Sequence, residues 1–410
     1  MLTTLLRPVA TAMLRRVQAE LDQVPRPVDA PQYHAPGPHP DRVLIFGNGP
    51  AIGFGVRTQE LALPGQVGRR LAAATGRGAD IDLVAKRGVS IERAAAMLPP
   101  LRPSRYDGLV VVLGSTDAAA LLPVQRWREA MTAVLEELTR LAAPRSPIVV
   151  LGIHELRRSA LTTGMLGDLI DAHAVRLNAI TKELCGTDCR VRYVERDVER
   201  SRDVRYQSSE AFEVLADMIV PALLPGLASA AVDRTAAAAR SQRAAPAAEV
   251  SRQSALEALH VLDTEPEERF DRIVRSARRT FGTTAAAVSL IDGDRQWRKA
   301  VAGPPGAPPA LPEEMPREVS VCSRTIRHDR PLVIPDLAQD PLVHPDLLAT
   351  GYRFYAGYPV ESPDGYRVGA LCLLDVEPRE DVDVALLREY ALRVQRELWA
   401  GAEAAAGQLR

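Results

Sequence analysis

Between residues 41 and 184, short apolar runs alternate with segments whose apolar positions recur every three or four residues. The runs are Val43 to Phe46, Ile81 to Val84, Gly108 to Leu113 and Pro147 to Ile153. The periodic segments that follow them are Glu60 to Ala73, Ile91 to Leu98, Trp127 to Ala142 and Leu166 to Leu184. A short apolar run bounded by turn residues reads as a strand buried on both faces, and a 3.6-residue period as an amphipathic helix. Strand and helix alternating across few-residue connections predict a three-layer parallel sheet with helices on both faces. A strand from Cys189 to Val194 and a helix from Ser209 to Leu224 complete that unit.

The pattern on either side is different. Residues 2 to 22 read as a short amphipathic helix, with a membrane-surface anchor as the alternative. Residues 23 to 41 carry Pro25, Pro27, Pro31, Pro36, Pro38 and Pro40, which cannot continue a helix, so this stretch is expected to run extended over the surface. Residues 228 to 250 are dominated by alanine with Arg234, Arg240 and Arg243 interspersed, a linker with helical propensity. Beyond it come helices at Ser251 to Leu262 and Glu265 to Phe281, and strands at Ala285 to Asp292 and Gln296 to Ala302. A proline-rich loop from Pro304 to Pro316 leads to a helix near Cys322 to His328. Strands at Leu332 to Ile334, Phe354 to Val360 and Gly369 to Leu374 precede a closing helix from Val382. Strands grouped between terminal helices predict an α+β domain with a central antiparallel sheet. The chain thus divides into an N-terminal helix and Pro-rich segment (1–40), an α/β domain (41–227), a linker (228–250) and an α+β domain (251–405).

Composition narrows the class without choosing a function. The 410 residues are 46% apolar and 25% charged, enough for two globular cores, and the net charge of −1 supplies no field to draw in nucleic acid. Cys185, Cys189, Cys322 and Cys372 are too few and scattered for a disulfide framework, which points to the cytoplasm. The N-terminal segment is too short and too interrupted by Arg7, Pro8, Arg15 and Arg16 to be a membrane span or a signal peptide. Cys185 and Cys189 lack the second ligand pair a structural zinc needs, so no metal site is expected.

Catalytic groups of a parallel α/β sheet stand on loops at the carboxyl ends of its strands. Those loops read Gly47-Asn48-Gly49-Pro50-Ala51-Ile52-Gly53, Arg87-Gly88-Val89-Ser90 and Gly114-Ser115-Thr116-Asp117, with Asp203-Val204-Arg205-Tyr206 before the last helix. Their order and spacing over residues 41–226 resemble the SGNH (GDSL-type) hydrolases, whose blocks are Gly-Asp-Ser, a glycine, Gly-x-Asn-Asp and Asp-x-x-His. The resemblance implies a three-layer SGNH/flavodoxin-like fold and, position by position, places Gly49 where the family has its serine nucleophile, Thr116 where it has the oxyanion asparagine and Tyr206 where it has the histidine base. Of the family's functional positions only Gly88 and Asp203 match. Such a triad acts as a unit, so losing three members implies a pseudoenzyme with no catalytic residue. A rebuilt site using Ser115 or Ser90 with His154 is the alternative. The plainer readings are a surface-loop histidine at 154, an N-cap at Ser90, a loop hydroxyl at Thr116, and an arginine partner, Arg202 or Arg205, for Asp203.

In the second domain the pieces Ala255-Leu256-Glu257-Ala258-Leu259, Val288-Ser289-Leu290-Ile291-Asp292, Arg295-Gln296-Trp297, Val321-Cys322, Pro331-Leu332-Val333-Ile334-Pro335-Asp336, Arg353-Phe354-Tyr355-Ala356-Gly357-Tyr358-Pro359-Val360 and Gly369-Ala370-Leu371-Cys372-Leu373-Leu374-Asp375 resemble a bacterial GAF domain across residues 251–399. That resemblance implies a small-molecule sensor of unspecified ligand, with Trp297, Cys322, Phe354, Tyr355 and Cys372 as candidate lining residues, the alternative for each being a plain core position. For Cys322, nothing adjacent in sequence argues for an activated thiol. The helices flanking a GAF domain commonly form a homodimer interface, and Leu386, Leu387, Tyr390, Ala391, Val394 and Leu398 follow helical spacing that suits either that role or packing on their own sheet. No output module follows in the sequence, so output is expected to pass through the first domain, the N-terminal helix or a protein partner. The combined expectation is a cytoplasmic, non-catalytic regulatory protein. A GAF-regulated esterase and a pure interaction scaffold are the alternatives.

Overall fold

In the computed structural model, residues 10, 12–14, 16–17, 19–29, 31–154, 164–196, 208–243, 245–303, 312–328 and 330–408 are described. The chain divides into two units, Met1–Ala237 and Ala238–Arg410.

The first unit is built on strands β1 (Gln32–Ala35), β2 (Asp41–Gly47), β3 (Ala79–Ala85), β4 (Gly108–Val112), β5 (Ile148–Leu151) and β6 (Val191–Val194), in the order β1-β3-β2-β4-β5-β6. The last five are parallel, while β1 pairs antiparallel with β3. The sheet is therefore mixed and not purely parallel, and the reason lies in the Pro-rich segment. Gln32 to Ala35 is a proline-free window between Pro31 and Pro36, so its N–H groups are free to ladder, and His34 Nδ1 meets Asp80 Oδ1 at 2.7 Å across the pairing. Rather than lying wholly as surface coil, the segment donates an edge strand.

Alternation along the strands sorts the core into two layers. Leu44, Phe46, Leu109, Val111, Ile148 and Val150 face helices α2 (Ile91–Ala94), α4 (Val124–Leu141) and α5 (Met165–Cys185), while Val43, Ile45, Val110, Val112, Val149 and Leu151 face α1 (Leu63–Thr75) and α6 (Ser209–Arg243). A five-residue helix, α3 (Ser115–Ala119), follows β4. The described residues between 10 and 21 are mostly helical, and Ala10 and Leu14 pack into the first layer. The Ser209–Ala230 part of α6 is long and apolar enough to cross a membrane by composition alone. Phe212, Leu215, Ala216, Ile219, Val220, Leu223 and Leu227, however, are buried in the second layer, as in a core helix. The Ala/Arg-rich stretch is helical in its described residues, shared between α6 and α7 (Ala245–Glu257).

The second unit has an antiparallel sheet of order β10-β11-β12-β7-β8-β9, from β7 (Ala285–Asp292), β8 (Arg295–Ala302), β9 (Glu314–Pro316), β10 (Leu332–Ile334), β11 (Phe354–Glu361) and β12 (Arg367–Asp375). The end of the expected Pro304–Pro316 loop is the edge strand β9; residues 304–311 lie outside the described set. One sheet face is covered by α8 (Glu268–Phe281) and α11 (Val384–Gln408), which bury Phe270, Val274, Leu387, Tyr390, Ala391, Val394 and Leu398. The apolar stripe of the closing helix is thus spent on its own sheet. The other face is covered by loops and the short helices α9 (Cys322–Thr325) and α10 (Pro345–Ala349).

Candidate functional site

In the first unit the five parallel strands follow the doubly wound order 2-1-3-4-5, so the loops after β2 and β4 diverge at the topological switch point where such folds bind ligands. Three contacts draw the predicted loops together there. Asn48 Nδ2 donates to Val89 O at 2.7 Å, Ile91 N donates to Asp117 Oδ1 at 3.0 Å, and a Cβ placed on Gly49 would stand 2.8 Å from Ser115 Oγ. Gly49 is in the left-handed region at φ +54°, and Gly88 likewise at φ +68°. Position 49 therefore carries no side chain, its backbone disfavours one, and Ser115 fills the adjoining space.

Ser90 stands at the N-cap of α2 without a capping side-chain bond, and Asp117, reaching from the next loop, takes the Ile91 amide. Asp117 is 2% exposed, and burial, against the pull of the Ile91 amide, raises its pKa to about 6. Its Oδ2 and the Oδ1 of Asn48 are both buried without a partner among the described residues. Neither residue was singled out by sequence; the signal was their fixed place beside Gly49 and Thr116. Thr116 is half-buried in α3, and His154 is buried instead of lying in a surface loop. Asp203 and Tyr206 lie outside the described residues. Cys185 ends α5, and burial pushes its thiol up to about 12, whereas Cys189 is exposed.

In the second unit strand alternation divides the five candidate lining residues. Trp297 and Phe354 belong to the core beneath α8 and α11, while Cys322, Tyr355 and Cys372 share the opposite face. Plain alternation along β8 from the Asp292–Arg295 turn puts Gln296 and Arg298 on that opposite face and Lys299 toward the helices, and a bulge at Lys299, where Val288 pairs with Ala300 and Ser289 with Arg298, then keeps Ala300 on the helix side. Sequence reasoning missed this: adjacent residues of a strand cannot line one pocket.

The face with the cysteines is a buried polar nest. Tyr355 Oη donates to Cys322 Sγ at 3.3 Å and lies 2.7 Å from Thr325 Oγ1; Ser289 Oγ is 3.9 Å from Cys372 Sγ. Gln296 is oriented with its amide oxygen toward Ser289 Oγ (3.1 Å), Arg298 Nη2 (3.0 Å) and Arg298 Nε (3.3 Å), so that donors face acceptors. The neighbouring Cys372 thiol, with help from Tyr355, Ser289 and the Arg298 charge, outweighs burial and holds the Cys322 thiol down to about 7, while Cys372 is driven up. The arrangement can stabilise one thiolate.

Residues 265–398 match the GAF domain family, and this part of the chain is a GAF domain, a sensory module. Over 152 residues, 36% of its length, the chain is 32% identical to a cyclic di-GMP phosphodiesterase of Pseudomonas aeruginosa, and it spans a quarter of that protein. Similar solved structures include the substrate complex of free methionine-R-sulfoxide reductase from Neisseria meningitidis (18% identity, 38% of this chain and 93% of that one, TM-score 0.29). The chromophore-binding domain of the bacteriophytochrome RpBphP3 from R. palustris (16%, 38% and 62%, TM-score 0.29) is another. A third is the GAF domain of an Acinetobacter phosphoenolpyruvate-protein phosphotransferase (12%, 38% and 96%, TM-score 0.27).

Proposed function

We propose that this chain is a cytoplasmic, non-catalytic signalling protein in which the GAF domain takes up a small molecule or a partner and the first unit is a degenerate SGNH-type scaffold that presents a binding surface. The observation that carries the reading is Gly49: at the head of the switch-point loop, where this chemistry needs a nucleophile, the residue has no side chain and Ser115 occupies the place one would take. The polar nest with Cys322, Tyr355 and Cys372 is the proposed sensing site, a buried cluster with few, convergent polar groups. The 32% identity over 152 residues with part of a cyclic di-GMP phosphodiesterase supports a place in signalling. Output runs to a protein partner, and the protein is a homodimer through faces of the GAF-flanking helices other than the apolar stripe that packs on the sheet.

The test is turnover of short-chain nitrophenyl esters by the purified full-length protein, beside Ser115→Ala and His154→Ala. The expected result is a rate no higher than buffer for all three. Turnover that disappears in either variant would overturn the reading in favour of a rebuilt, GAF-regulated esterase. Light scattering on the same sample tests the dimer, and a mass of one chain at micromolar concentration would refute it.

A further inference from the structure

We propose that Cys322 and Cys372 form a redox-active dithiol that a small hydroperoxide oxidises to an intramolecular disulfide. The inference does not rest on the reading of the first unit.

Three observations meet at this pair. Cys322 opens a one-turn helix and Cys372 stands in the middle of β12, fifty residues on, yet both belong to one buried cluster: Tyr355 Oη is 3.3 Å from Cys322 Sγ and lies over Gly357, the residue paired with Cys372 across the strands. Next to them the Arg298 guanidinium is buried, and among the described residues its partners are all uncharged: the carbonyl of Pro312, Met315 Sδ at 3.6 Å and the Gln296 amide. Burying an unpaired cation costs several kcal/mol, roughly, so a site that keeps one is built around an anion. The groups near Arg298 able to supply that anion are Cys322, Cys372 and Tyr352, and a thiol, at about 8.5, ionises well before a phenol at about 10. Third, the Tyr355 hydroxyl donates to Cys322. Cys322 is thus the thiolate and Cys372 the proton-bearing neighbour.

The chemistry balances with a hydroperoxide as oxidant. The Cys322 thiolate attacks the distal oxygen, the O–O bond breaks, and its electron pair leaves on the alkoxide, which takes up a proton and departs as the alcohol, or as water when the oxidant is hydrogen peroxide. Cys322 is left as the sulfenic acid. Cys372 sulfur then attacks Cys322 sulfur; the sulfenic hydroxyl leaves with the Cys372 proton as water, and the S–S bond forms. Two thiols are oxidised and one peroxide reduced, and a dithiol reductant reverses the step by exchange. The thiols are 3% and 1% exposed, which admits a molecule the size of hydrogen peroxide and excludes glutathione disulfide or a protein disulfide.

The test treats reduced full-length protein with graded hydrogen peroxide, blocks remaining thiols with an alkylating agent in denaturant, and maps peptides without reduction. The expected result is loss of two of the four alkylatable thiols, a crosslinked Cys322–Cys372 peptide, and recovery of both thiols with dithiothreitol. In Cys372→Ser, Cys322 should accumulate as a sulfenic acid trapped by dimedone; in Arg298→Met, disulfide formation at pH 7 should slow by about tenfold, the equivalent of one pKa unit. A pair that stays reduced while exposed Cys189 is oxidised overturns the proposal, as does a disulfide confined to Cys185 and Cys189. Wild-type mapping alone decides the matter should a variant fail to fold.

Discussion

Replacing Asp117 by asparagine tests whether a buried carboxyl taxes the first unit. Its pKa rises from the ordinary 3.8 to about 6 because burial penalises the charged form, the Ile91 amide returning part of the loss and Glu92 adding to the penalty. At roughly 1.4 kcal/mol per unit, that shift is a penalty of about 3 kcal/mol once the group is ionised in both states. The sign follows from the direction. Below pH 3.8 the carboxyl is protonated folded and unfolded, and nothing is lost; from 3.8 upward the unfolded chain ionises first, and the loss grows until about pH 6, above which it is constant. Asparagine keeps the oxygen that accepts from Ile91 and cannot ionise. Whatever fixed cost its new amide N–H brings, the stability of Asp117→Asn relative to the parent should rise by about 3 kcal/mol between pH 3.5 and pH 7. Hydrogen exchange in β2 and β4, corrected for the intrinsic pH dependence of exchange, reads this difference within the unit concerned. A difference that does not change across that range refutes the reasoning.

Two further substitutions probe the framework around the sites. Lys299 is wholly buried at the β8 bulge, 2.7 Å from Glu267, 2.6 Å from Thr264 Oγ1 and 2.9 Å from Glu265 O, with Phe270 and Trp297 beneath its ammonium. Lys299→Ala should cost the GAF domain about 3 kcal/mol, read from exchange protection in β7 and β8, and a loss under about 1 kcal/mol would refute it. Gly47 has φ +150°, and a Cβ there would overlap the Val112 carbonyl oxygen of the neighbouring strand. Gly47→Ala should therefore abolish protection in β2 and β4 while leaving β7 and β12 protected; unchanged protection in β2 would show that the two strands separate at little cost.

The parts legible in sequence were those with strong periodicity. The apolar runs at Val43, Ile81 and Gly108 and the terminal helices of the GAF domain gave their elements because burial on one or two faces leaves a signature within a dozen residues. β1 was hidden since four residues between two prolines carry no such signature, and its pairing depends on His34 finding Asp80. The nest was hidden for a different reason. Cys322, Tyr355 and Cys372 were singled out individually, but what gives them chemistry is Arg298, which the β7–β8 hairpin register places on their face, and the Tyr355 hydroxyl that meets Cys322 thirty-three positions away. Charge pairing across a sheet face is a property of the register and not of any window of sequence.

That register also fixes how a change in the nest would travel. Along β12, Ala370, Cys372 and Leu374 face the nest, whereas Leu371 and Leu373 face the core that holds Leu387, Tyr390 and Val394 of the closing helix. A bond between Cys322 and Cys372 draws α9 toward β12 at the residue flanked by those two leucines, and tight packing leaves them little room to absorb a displacement. The closing helix packs on β11 and β12 directly, so it is the element one layer from the disulfide. Hydrogen exchange over 384–400 should therefore differ between peroxide-treated and reduced protein, while α8, which lies over β7 and β8, changes less. Equal exchange in the two states, with the disulfide verified by mapping, would mean that the bond forms within the slack of α9 and that the dithiol has no mechanical route to the helix.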